Sequence, residues 1–205
     1  MFVGKEGAND QDGPFTINEP GDLNDVRDNN IHYFGTIYTA AYLLSGEKPS
    51  CETINKLSLM NYNKYRHNFC LTNYFKCAFK KEEQEGKYHD IGTNLQMKKN
   101  CAKILLKEIN ILKPDIIVFQ GKFSHASFYN KKEGLASKYD YVEEEYFKND
   151  ELKCNISVSF YKRREDQSMF CVIWSYHPCA HGQKWFNTLN EFQKALDFAL
   201  RKFKK

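Results

Sequence analysis

Three short stretches of this chain carry polar side chains at spacings that could act together. The first, Gly4-Lys5-Glu6-Gly7-Ala8-Asn9-Asp10, follows the opening apolar residues at once. Glycines there let backbone approach a ligand, and Glu6, Asn9 and Asp10 can reach one pocket. A Gly-rich loop after a strand can equally cradle a phosphate. This one lacks both the dinucleotide fingerprint and the lysine–hydroxyl ending of a P-loop, which disfavours nucleotide binding. The second, Thr72-Asn73-Tyr74-Phe75-Lys76-Cys77, places an amide at a strand end. Such an Asn can offer a donor and an acceptor to a base edge, or it can cap a turn. The third is Tyr176-His177-Pro178-Cys179-Ala180-His181-Gly182. A histidine held by the following proline can donate to a developing anion, and a histidine can equally serve structure.

These stretches need elements to carry them. Met1-Phe2-Val3 is a minimal strand, followed by a polar Gly/Pro/Asp-rich loop to about Asn30. A loop that long inside a compact domain reads as functional. Ile31, Phe34, Ile37, Tyr38, Ala41 and Leu44 recur at helical steps and predict a helix to about Ser45, with a second over Cys51–Leu59. Phe69–Asn73 reads as a buried strand and residues 80–99 as a charged surface excursion. Cys101 opens a helix with Ile104, Leu105, Ile109 and Leu112 inward, ended by Lys113-Pro114. Asp115–Phe119 is a continuous apolar run, as in a parallel strand covered on both faces. Phe123–Tyr129 begins another helix, and residues 131–151 read as a solvated insertion. Ile156–Tyr161 and Met169–Tyr176 are strands joined by an exposed connection, Lys162–Asp166. A last helix spans Trp185–Phe203, with Phe186, Leu189, Phe192, Leu196 and Leu200 inward. The expected fold is a single α/β domain over residues 1–205. It is a three-layer α/β/α sandwich around a short, mostly parallel sheet of four to five strands. Ligands of such sheets bind at the carboxyl ends of strands, which selects the loops at Gly4, Thr72, Gln120 and Tyr176.

Composition sets wide bounds. The 205 residues are 41% hydrophobic and 27% charged, the balance of a soluble globular domain. Aromatics reach 15%, with 13 Tyr and 16 Phe; most should fill the core, leaving a few to stack on bases. A net charge of +4 and a pI near 8.5 suit a polyanionic partner without requiring one. Seven cysteines without framework spacing read as reduced and mostly buried, as in a cytoplasmic protein. No signal peptide is recognisable, and no apolar run approaches the roughly 18–20 residues that span a bilayer. Neither a Gly-x-Ser-x-Gly elbow nor an activated cysteine motif is present, which disfavours an unrelated hydrolase.

Taken in order, the three loops and the helix–strand unit between them resemble the uracil-DNA glycosylase superfamily over most of the chain. The pattern is most similar to its iron–sulfur, thermostable branch. The loop after the first strand sits where that superfamily carries its water-activating motif, and Pro14-Phe15 looks like the pair whose ring stacks on a flipped base. Thr72–Cys77 is similar to the branch's Thr-Asn-x-x-Lys-Cys stretch, and Cys101 through Gly121 to its Cys-containing helix, Leu-Lys-Pro connection and apolar strand. His177-Pro178 looks like the His-Pro-Ser loop. The resemblance implies a monomeric DNA glycosylase that flips a base from DNA and cuts its N-glycosidic bond. It assigns Glu6 or Asp10, with His177, to catalysis. It assigns Gly4, Lys5, Asn9, Phe15 and Asn73 to base binding, and Lys76, Pro178, Cys179 and His181 to DNA.

The chain departs from that pattern at informative places. Lys5 stands where the branch carries its acid, Gly7 replaces the usual proline, and Cys179 replaces the serine of His-Pro-Ser. Cys77 and Cys101 match the second pair of cluster ligands, but no residues stand where the first pair would lie. No metal or other cofactor is therefore expected, and Cys77 and Cys101 are expected as a buried pair; the alternative is an iron–sulfur cluster through them, with Cys51 or Cys70 in place of the missing ligands. The altered first loop and the stretches at 80–99 and 131–151 point away from plain uracil, toward a bulkier modified pyrimidine such as phage DNA carries. A glycosylase-fold module that binds DNA without cutting it is the alternative.

Overall fold

The computed structural model describes residues 1–4, 42–43, 71–73, 81–84, 87–90, 95–120, 128, 134–151, 154–176 and 189–203. Among them stand the strands β1 (Phe2–Gly4), β2 (Leu71–Asn73), β3 (Lys81–Gln84), β4 (Lys87–Asp90), β5 (Ile116–Gln120), β6 (Tyr139–Asn149), β7 (Cys154–Arg163) and β8 (Met169–Ser175). The helices are α1 (Leu95–Leu112), α2 (Leu135–Lys138) and α3 (Leu189–Phe203). Six strands form one sheet in the order β2-β1-β5-β8-β7-β6, while β3 and β4 pair as a separate antiparallel hairpin.

The first four strands of the sheet run parallel. β7 is antiparallel to β8, and β6 is antiparallel to β7. The expected α/β class holds, and the sheet is larger and more mixed than expected, since its two antiparallel pairings are also its longest. The difference comes from residues 131–151. Instead of a solvated insertion they form α2 and the edge strand β6. An edge strand needs few apolar contacts. Tyr139 is buried and Phe147 packs inward, while Asp140 and Glu145 stay exposed, so the strand reads as a charged surface segment. Charge and a register shift between Tyr141 and Glu143 also blunt this free edge against further pairing.

Helices cover both faces. α1 sends Cys101, Ala102, Leu105, Leu106 and Ile109 onto the face carrying Val3, Ile117, Phe119, Val172 and Trp174. α3 sends Phe192, Ala195, Leu196 and Ala199 onto the opposite face, against Val118, Ile173, Cys171, Val158 and Phe160. β5 and β8 contribute alternate residues to each side, as strands buried on both faces must. Buried Tyr42, helical with Leu43, donates its hydroxyl to Asp197 of α3. The rest of the helix expected at 31–45 lies outside the described residues. So do the helix over Cys51–Leu59 and, apart from buried helical Phe128, the one over Phe123–Tyr129.

Several expected boundaries move. α1 begins six residues before Cys101, so within the stretch 80–99 the described residues form the hairpin β3–β4 and the start of a helix. Ile104 and Leu112 are 43% and 52% exposed. Ile104 falls outside the stripe centred on Leu105 and Ile109, and Leu112 ends the helix. Lys113 closes α1 in the left-handed region (φ 44°), with its N–H on the Ile109 carbonyl at 3.0 Å. The link between β7 and β8 is exposed, while Arg163, the last residue of β7, is 5% exposed. The Arg163 guanidinium donates to the Pro114 carbonyl (2.6 Å) and Ser168 Oγ (3.0 Å) and lies over the Phe170 ring at 4.8 Å. This arginine closes the turn onto the end of α1.

Two outcomes follow. Leu105→Ala removes a fully buried side chain facing β5 and should cost about 2–5 kcal/mol in urea unfolding. In the turn after β7, Asp166 accepts from Ser168 Oγ (2.5 Å) and N–H (2.9 Å), with Lys113 at 3.4 Å, which lowers its carboxyl from 3.8 to about 2. A depressed carboxyl stabilises above its unfolded value and loses that contribution as pH falls through the folded one. The Tm difference between wild type and Asp166→Asn should therefore be full at about pH 5 and fade by about pH 2.

Candidate active site

Because β2, β1, β5 and β8 run parallel, their carboxyl ends share one edge of the sheet. Gly4 stands in register with Asn73, Val3 with Phe119, and Gln120 with Ser175. With strands about 4.8 Å apart, the four ends span about 14 Å from β2 to β8. The loops beginning after Gly4, Asn73, Gln120 and Tyr176 thus leave the sheet side by side. Of the residues singled out by sequence, Gly4 and Asn73 are brought together here. Lys5, Glu6, Asn9, Asp10, Phe15, Lys76, His177, Pro178, Cys179 and His181 lie outside the described residues.

The edge is stiff where it is described. Phe119 and Trp174 are almost fully buried and stack at 4.2 Å and 22° beneath it, with Phe128 tilted against Phe119 at 5.4 Å. The described aromatics here are floor rather than platform, in keeping with the expectation that most fill the core. Ser175, 4% exposed, donates its hydroxyl to the Phe119 carbonyl at 3.0 Å, which ties the ends of β8 and β5. Tyr176 accepts at its hydroxyl from the Asn155 N–H of β7 at 3.2 Å. Glu191, in the first turn of α3, is 3% exposed and accepts at Oε1 from Asn149 and Asn190 amides at 3.4 and 3.3 Å. Sequence reasoning passed over Ser175, Asn149, Asn155 and Glu191. The spacing Thr188-x-x-Glu191 is a capping-box signature that marks the last of these.

Cys101 and Cys171 are both buried and free of disulfides. Cys171 is wholly buried, and burial pushes its thiol well above the ordinary range. Cys101 is 2% exposed among Leu105, Ile117 and Phe119, an apolar setting, and its expected companion Cys77 lies outside the described residues. Among the described residues no three His, Cys, Asp or Glu side chains cluster as a metal site would need. None of the described helices is long and apolar enough to cross a membrane.

A family model for the uracil DNA glycosylase superfamily matches residues 21–201. The chain belongs to that superfamily. No curated protein matches it. Members of the uracil DNA glycosylase superfamily are DNA N-glycosylases and bind DNA. The match takes in the loops after Asn73 and Tyr176 and begins beyond the loop Gly4–Asp10, where this chain departs most from the superfamily pattern.

The Ser175 hydroxyl gives this edge a simple test. Ser175→Ala leaves the buried Phe119 carbonyl without that donor and should lower stability by about 1–3 kcal/mol in urea unfolding.

Proposed function

We propose that this chain is an active DNA glycosylase that flips a uracil-like or modified pyrimidine out of DNA and hydrolyses its N-glycosidic bond. The observation that carries the reading is the side-by-side departure of four loops from one sheet edge, with Gly4 in register with Asn73, in a chain of this superfamily. Breaking the C1′–N bond sends its electron pair into the base and leaves positive charge on the sugar. Glu6 or Asp10 stabilises that charge and takes a proton from the water that adds at C1′. His177 donates to the oxygen where the base gathers negative charge. Asn73 reads the base edge with Gly4, Lys5 and Asn9 around it, and Phe15 replaces the lost stacking. Lys76, Pro178, Cys179 and His181 hold the DNA. The chemistry needs charge stabilisation and a positioned water, both within reach of side chains, so the reading uses no cofactor.

We further propose that the enzyme acts as a cytoplasmic monomer on modified phage DNA. The support for a modified base is the small Gly7-Ala8 pair and the Lys5 in its first loop. A second reading, a silent DNA-binding module, draws on the family match beginning after the acid-bearing loop.

Mass spectrometry of bases released from uracil-bearing oligonucleotides and from modified phage DNA tests both. A modified pyrimidine should be released, leaving an abasic site. His177→Ala should slow release by on the order of 10²–10³-fold, as loss of one oxyanion donor does. Glu6→Gln and Asp10→Asn should identify the acid. Efficient release of uracil alone would sink the phage-base reading. Wild-type binding of DNA with no abasic product from any substrate would favour the silent module.

A further inference from the structure

Residues 177–188 join β8 to α3, and the described residues on either side of them are held by one element. β7 runs antiparallel to β8, with Ser157 opposite Trp174, so the start of β7 and the end of β6 lie at the carboxyl edge. The hairpin of β6 and β7 therefore turns at the edge where β8 ends. Its Asn155 N–H reaches Tyr176, the residue before the loop, and its Asn149 amide reaches Glu191, two residues into the helix after it. Asn149 and Asn155 are neighbours in the hairpin: Asn149 pairs with Cys154 and Lys148 with Asn155.

This hairpin is a rigid support. Ile156, Val158 and Phe160 are fully buried, and Phe147 and Phe160 pack on Phe198 of α3 at 5.8 Å each. Lys202 of α3 meets Glu143 of β6 at 2.7 Å. Glu191 is an unusual choice for so closed a position. Its Oε1 accepts from Asn149 and Asn190, with Lys194 Nζ at 3.7 Å, while its buried Oε2 has no partner. An apolar side chain would fill the space without burying a carboxylate. Only an acceptor there joins the hairpin tip to the first turn of α3, where negative charge also suits the helix dipole.

We propose that Asn149 and Glu191 are positioning residues and that the tip of the β6–β7 hairpin is a two-point clamp setting the reach of the His177 loop. The inference rests on the glycosylase reading for its catalytic consequence and on the two hydrogen bonds for its geometry. Fixing both ends of a long loop reduces the conformations it must give up when His177 meets the base.

Two readouts test the clamp in the intact chain. Hydrogen–deuterium exchange across 177–188 should quicken on the order of tenfold in Asn149→Ala and Glu191→Ala, with the strands of the sheet at wild-type rates. On duplex oligonucleotides bearing uracil and on modified phage DNA, both variants should lose on the order of tenfold to a hundredfold in kcat with KM little changed. Glu191→Gln, whose amide oxygen accepts the same bonds, should restore both readouts. Tyr146→Phe, on the same strand away from the clamp, should alter neither. Unchanged exchange over 177–188 in Asn149→Ala and Glu191→Ala overturns the proposal, as does unchanged kcat in an active enzyme. If wild type releases no base from either DNA, the glycosylase reading fails while exchange still decides the clamp. Where Glu191→Ala does not fold, Asn149→Ala carries the test.

Discussion

The parallel ladder through β1 is the interaction on which the rest of this structure depends. β1 is three residues long and is paired on both sides, Phe2 with Leu71 and Val118, Val3 with Thr72 and Phe119. The ladder continues through Met1, whose nitrogen donates to the Ile116 carbonyl and whose carbonyl accepts from Val118 N–H, both at 2.8 Å. A slip of one residue would turn Val3 away from the core under α1 and carry Asn73 out of register with Gly4. So short a strand holds its place because both neighbours are paired to it and its buried side chain has one place to go.

The antiparallel half does different work. β8 is buried along nearly its whole length and belongs to both halves, parallel to β5 on one side and antiparallel to β7 on the other. Through that shared strand the hairpin of β6 and β7 is carried up to the carboxyl edge of the parallel strands and backed by α3. Its outer strand faces water with acidic groups that would repel a polyanion. Glu144 is held by Tyr146 and Ser159 hydroxyls at 2.7 and 3.1 Å, which pushes the Tyr146 hydroxyl up to about 12. The acidic edge is held two strands away from β8, so the charge that protects the sheet from further pairing is set apart from the parallel strand ends.

Legibility followed burial. β5 and β8 could be read as apolar runs bounded by Pro114, Gly121 and His177, because strands covered on both faces need apolar residues at every position. α3 matched its expected stripe at Phe192 and Leu196 for the analogous reason. β6 could not be read this way, since half its positions face water and a bulge breaks its alternation. Arg163 hid for another reason: nothing in Lys162-Arg163-Arg164 says which guanidinium will find the Pro114 carbonyl and the Phe170 ring. At the site, the polar loops after strand ends were visible, whereas Ser175, Asn149 and the tertiary partner of Glu191 were not. Their meaning lies in partners 56, 42 and 42 residues away.

By itself the sequence determined the α/β class, the buried central strands and the order of polar loops that mark the superfamily. These are local properties, written in runs of apolar residues and in residues that end them. The tertiary structure alone decided that Gly4 and Asn73 stand side by side and that β6 completes the sheet. It alone brings one hairpin to both ends of the His177 loop. Those outcomes depend on which strand pairs with which and in what register, and pairing is decided by contacts between residues far apart in the chain.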